Sequence, residues 1–204
     1  MGRTSGATAA GTKARLLRAA ADVFARRGYD GTRVAQIAQI AGLSNGAMYA
    51  YFGSKAELLM GALRTHGQRL LADLISADPS RSITELLLVT GRSLRRRRDN
   101  DGNLVIEALV AARRDQDVAE LMRDYIHDRI DWLADLVREG QARGELDPAL
   151  PPRAVAHFCL SLATGTALLT PELNDVDDQQ WASLLARVVS GLAPTHPTQT
   201  GTSS

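Results

Sequence analysis

Glycine breaks the stretch from Tyr29 to Leu59 at Gly31, Gly42 and Gly53, so only short helices fit between the breaks. Residues 33–41 read as one helix, with Thr32 placed to cap it and Ile37, Ala38 and Ala41 turned inward. Gly42-Leu43 is a tight break, and Ser44 is the cap of a second helix over 45–52. Ser54-Lys55-Ala56-Glu57 is a capping box that opens a long helix expected to run to residue 76. Two short helices joined by Ala41-Gly42-Leu43-Ser44 form a helix-turn-helix. Gly42 permits the positive φ that the turn needs, and Leu43 plugs the angle between the helices. In this motif the second helix lies in the DNA major groove.

At 100° per residue the second helix has two distinct faces. Met48 and Phe52 point inward with Ile37 and Leu43, as the core of a small head. Gly46 and Ala50 point outward, flanked by Ala47 and Tyr49, and make a smooth surface that suits close approach to base edges. Asn45 is the amide placed to pair with adenine. Tyr49, Tyr51, Thr32 and Lys55 flank this face as phosphate donors, Arg33 reaches phosphate or guanine, and Ser44, Gly46, Ala47 and Ala50 complete the DNA-binding set. Lys55 has a plainer reading as a first-turn surface residue.

Charge agrees with a nucleic-acid partner for the first part of the chain. Residues 1–55 hold eight Lys and Arg against two Asp, a net +6, and residues 56–204 hold 16 basic and 21 acidic residues, a net −5. The chain is 45% hydrophobic and 23% charged, with Ala and Leu prominent and strand formers sparse, which predicts an all-α fold. Residues 1–12 lack a period and are expected to be a disordered arm, and 194–204 a disordered tail. A helix-turn-helix domain over 13–55 and a helical domain over 56–193 lie between them. The second domain is divided into helices by Asp78-Pro79, by Ser82 as a cap, by the loop at 99–102, by Pro152 as a first helical residue and by Asp178 as the last cap. The run Arg95 to Arg98 reads as a solvated helix end.

Within Tyr29 to Leu59 the residues Thr32, Val34, Ile37, Ala38, Ala41, Gly42, Leu43, Ser44, Gly46, Met48, Tyr49, Tyr51, Phe52, Ser54, Lys55 and Leu58 follow one pattern. That pattern resembles the DNA-binding signature of TetR-type one-component transcriptional regulators. Ala47 departs from it, standing where a hydroxyl residue is common. The resemblance implies a homodimer on a double-stranded, palindromic DNA operator, most simply a repressor, and a small-molecule effector bound between the helices of 56–193.

The residues of that region add candidates, each with a plainer alternative. Polar groups on apolar helices, the candidates for an effector pocket, are Glu107, Arg113, Tyr125, Arg129, His157 and Thr166. As alternatives, His157 reads as a core or interface histidine, Glu107 as a surface group, and Tyr125 with Trp132 as core. A dimer face is expected from Phe158 and Leu162 on one helix and from Trp181, Leu184, Leu185, Val188 and Leu192 on the next. Nothing calls for a cofactor. The histidines lack metal-ligand spacing, Cys159 is a lone cysteine, and neither a phosphate loop nor a nucleophile motif is present, so an enzyme is disfavoured. No stretch reads as a membrane span or a secretory signal, and a cytoplasmic location is the expectation. Two rivals stand beside the repressor: a regulator of the same fold without an effector, and an all-α carrier or enzyme that keeps an inactive head.

Overall fold

The computed structural model describes residues 3–66, 70–94, 100–169 and 176–194, and no strand occurs among them. The helices are α1 (Arg3–Arg27), α2 (Val34–Ile40), α3 (Asn45–Tyr49), α4 (Lys55–His66), α5 (Leu70–Ala77), α6 (Ile83–Ser93), α7 (Asn100–Ala111), α8 (Gln116–Ala142), α9 (Pro152–Leu168) and α10 (Asp178–Ser190).

Helix ends account for most differences from expectation. Helix α1 begins at Arg3 instead of Lys13, so residues 3–12 are helical and not an arm. The absence of an apolar period gives no sign of a helix there, but Ala9 and Ala10, both exposed, favour one by propensity alone. Helix α3 stops at Tyr49, because Tyr51 N–H tightens onto the Met48 carbonyl at 2.9 Å and ends the α-helical turn. The long helix expected over 54–76 is described as α4 and α5, on either side of residues 67–69, which lie outside the described residues. So do the Arg95 to Arg98 run and the tail beyond residue 194. The cap of α10 is Asp177, one residue before the expected Asp178. Its carboxylate accepts from Gln179 and Gln180 N–H, and the Gln180 side chain returns to Asp177 N–H, which closes a capping box.

Two compact units result. The first holds α1 to α4, α7, α8 up to Arg129, and residues 164–168. One core runs through it: Leu16, Ala20, Val23 and Phe24 of α1, Ile37 and Ala38 of α2, Met48 of α3, Leu58, Leu59 and Leu63 of α4, Leu104 and Ala108 of α7, and Val118 and Met122 of α8. Each of the large side chains contributes roughly 1.5–3 kcal/mol by leaving water. The short head helices thus share their core with α7 and α8, which lie beyond residue 55.

The second unit holds α5 from Leu71, α6, α8 from Ile130, α9 up to Ala163, and α10. Its core is Ile83 and Leu86 of α6, Val137 of α8, Leu146, and Val155 of α9. Helix α6 meets α10 at Gly91, whose carbonyl accepts from Trp181 Nε1 at 3.0 Å. Gln141 fastens the loop before α9 by donating to the Asp147 and Leu150 carbonyls, both at 2.9 Å.

Candidate nucleic-acid interface

The turn between α2 and α3 is built by local hydrogen bonds. Leu43 N–H donates to the Ala38 carbonyl at 2.8 Å and Gly42 N–H to Gln39 at 3.0 Å, a Schellman motif with Gly42 at φ +71°. Leu43 packs partly against the core, as expected of the plug. Ser44 then caps α3, its Oγ accepting from Ala47 N–H at 3.1 Å. At the next entry Ser54 Oγ accepts from Glu57 N–H at 3.0 Å. The Glu57 carboxylate returns to Gly53 N–H at 2.7 Å, one residue earlier than in the standard box.

These caps fix which side of α3 faces water. Met48 is fully buried, while Ser44, Asn45, Gly46 and Ala50 are exposed, Tyr49 is 49% exposed, and Ala47 is half-buried. Arg33 is exposed and takes the N-cap position of α2, with no side-chain cap bond. Thr32 is a correction. It is 3% exposed, it does not cap α2, and its hydroxyl donates to the Gly28 carbonyl at 2.6 Å, so it presents no group outward. The cause lies at the end of α1, where Gly28 turns at φ +73° and leaves a carbonyl that needs a donor. Tyr51 is half-buried and packs against the core. Lys55 is half-buried, with Nζ 4.3 Å from the centre of the Tyr29 ring. Burial lowers the Lys55 pKa, against the opposing pull of Asp30 and Asp115.

Among the described residues the expected effector candidates differ in exposure and partners. Glu107 accepts from Tyr29 N–H at 3.3 Å, and Arg113 and His157 are exposed. Tyr125 is half-buried, its ring 5.9 Å from the Arg64 guanidinium, and burial raises its pKa. Arg64 pairs with Asp128 at 3.1 Å. Arg129 and Thr166 are half-buried. None of the six lines the small cavity of about 20 Å³ in the second unit, which is walled by Leu71, Leu86, Leu87, Leu133, Leu136 and Cys159 among others. Burial pushes the Cys159 thiol up to about 11, so it is neutral and poorly suited to redox sensing.

The expected dimer residues divide. Phe158 is 49% and Leu184 57% exposed, with Leu162 and Val188 half-buried. Leu185 is buried against Gly91, Trp181 is half-buried with Nε1–H donating to the Gly91 carbonyl, and Leu192 packs partly on the second-unit core. Leu185 therefore faces inward, because the inward side of α10, Leu185 and Val189, packs within the second unit. Sequence reasoning missed Asp115, which accepts from the Tyr29 hydroxyl at 2.9 Å across 86 positions and carries no local signal.

Comparison with known proteins gives this geometry its class. Residues 16–61 match the family of bacterial regulatory proteins, tetR family, and residues 78–188 match the tetracyclin repressor-like C-terminal domain. The chain belongs to the TetR family and is a DNA-binding transcriptional regulator. It is 23% identical to the HTH-type transcriptional regulator UidR of Escherichia coli (strain K12), over 89% of this chain and 92% of that one. Among solved structures it is similar to a putative TetR-family regulator from Rhodococcus sp., with TM-score 0.76, 22% identity, and 89% of this chain and 98% of that one covered. A putative regulator from Saccharomonospora viridis in complex with choline has TM-score 0.69 at 19% identity, over 92% of this chain and all of that one. Among the described residues no helix is long and apolar enough to cross a membrane.

Proposed function

We propose that the protein is a homodimeric, cytoplasmic repressor that sets α3 of each protomer into successive major grooves of a palindromic operator and leaves it when a small molecule binds. The observation that carries this reading is Gly46. It lies on the exposed side of α3, outside the positive-φ glycines, and a Cβ there would meet nothing within 4 Å. A helix glycine costs about 1 kcal/mol relative to alanine. Nothing among the described residues requires that cost, whereas a base edge or phosphate approaching the backbone does.

Asn45 reads a base, and Tyr49, Tyr51, Arg33, Lys55 and the Ser44 hydroxyl hold phosphates. The exposed Phe158 and Leu184 support pairing of two protomers through α9 and α10. The choline bound to a protein of similar fold supports an organic effector. Tyr125 and Arg129, one turn apart on α8, are the retained contacts, since Arg113 and His157 are exposed and Glu107 already bonds Tyr29. A gel shift against the DNA flanking its own gene tests the reading. A sequence-preferring shift is expected, and Asn45→Ala relaxes preference at one base pair by about 1–3 kcal/mol. Equal losses on every sequence would remove Asn45 from the reading role. No shift at low salt, together with turnover or carriage of a metabolite, would favour the carrier or enzyme reading.

A further inference from the structure

The turn after α1, the start of α4 and the junction of α7 with α8 meet at one side chain, Tyr29, which is 7% exposed. Its ring stacks on Phe24 with centroids 6.0 Å apart, and the Lys55 ammonium lies over it at 4.3 Å. The hydroxyl donates to Asp115 Oδ2 at 2.9 Å, while Asp115 Oδ1 accepts from Val118 N–H at 3.1 Å in the first turn of α8. Tyr29 N–H donates to Glu107 Oε2 at 3.3 Å, and beside it Arg114 pairs with Asp30 at 3.3 Å. The ring is therefore fixed at both ends: its backbone to α7 and its hydroxyl to the carboxylate that caps α8.

A lysine on a flexible four-carbon stem must give up rotamer freedom to meet a phosphate. A ring that holds the ammonium beforehand removes part of that loss. The ring contact uses the positive charge and no particular N–H, so the three donors stay available to a phosphate oxygen. We propose that Tyr29 is a positioning residue for DNA binding, its ring holding the Lys55 ammonium where a backbone phosphate meets the head. This rests on the DNA-binding reading above and adds a residue that itself touches no DNA.

The test measures binding to a fluorescein-labelled duplex of mixed sequence over a KCl series, with the full chain. In the wild type, Lys55→Ala lowers the slope of log affinity against log salt by about one. Tyr29→Leu is expected to lower it equally, with Lys55→Ala adding nothing further in that background, and Tyr29→Phe is expected to restore the slope. A wild-type slope in Tyr29→Leu that Lys55→Ala still lowers by one would overturn the proposal. A second readout does not depend on the folding of the leucine variant. The chain has two lysines, Lys13 and Lys55, so lysine-labelled protein gives two ε-methylene signals, assigned with Lys13→Arg. Lys13 lies 5.5 Å from the Phe52 ring, so the larger upfield ring shift belongs to Lys55 in both the wild type and Tyr29→Phe. An unshifted Lys55 signal in both proteins would also overturn the proposal. Failure of the wild type to bind duplex at any salt would overturn the reading of the head, and the proposal with it.

Discussion

At the scale of single residues, local chemistry made much of the head legible in advance. Met48 is buried, Gly42 turns at positive φ and Ser44 caps α3, because a helical period, a turn and a cap each depend on a few neighbours. Thr32 was not legible. Its partner is a carbonyl four residues back, freed by the way α1 ends. The exposed Gly46 gives a prediction that separates folding from binding. Gly46→Ala raises the melting temperature by about 2–4 °C, from roughly 1 kcal/mol of helix propensity, and weakens operator binding at least several-fold. Tighter or unchanged binding, measured by gel shift, would remove the close approach at this residue. Asp115 gives a pH dependence. The Val118 backbone N–H and then the Tyr29 hydroxyl hold its carboxyl below the usual range. A depressed carboxylate stabilises the fold above its unfolded pKa, and that stability is lost as pH falls through the folded value. The urea midpoint of the wild type should therefore exceed that of Asp115→Asn near neutral pH and converge with it in acid. A gap that stays constant with pH would contradict the assignment.

At the scale of elements, the sequence marks where helices lie better than what their faces meet. The apolar residues Trp181, Leu184, Leu185, Val188 and Val189 identify α10 as amphipathic, and amphipathicity alone does not say whether the partner is α6 or a second copy. The structure turns Trp181 and Leu185 onto Gly91, leaving Leu184 outward at 57% exposure. Small size at Gly91 is the condition for this packing: a Cβ there would lie 2.5 Å from Leu185 Cδ2. Gly91→Ala should lower stability by about 1–3 kcal/mol in denaturant titration, as overpacking does. An unchanged midpoint would mean that Leu185 swings aside freely. The start of α1 failed to show for the opposite reason, since its residues carry no apolar stripe to find.

At the scale of the whole molecule, the signature between Tyr29 and Leu59 already implied the family, while the sequence left the effector contacts open. A pocket depends on side chains far apart in the chain, and the six polar candidates were chosen from single helices. Pairing of protomers is testable without knowing the ligand. Phe158→Glu with Leu184→Glu should convert a particle of two chains into one in light scattering, and lower operator affinity at least tenfold. A dimer that survives both changes would move the interface elsewhere. The central claim is that two copies of α3 read one face of a duplex, and a hydroxyl-radical footprint on the DNA flanking the gene tests it most directly. The account predicts two protected patches about one helical turn, roughly 34 Å, or a little more apart, both lost in Gly46→Val. A single patch, or protection that Gly46→Val leaves intact, would contradict it.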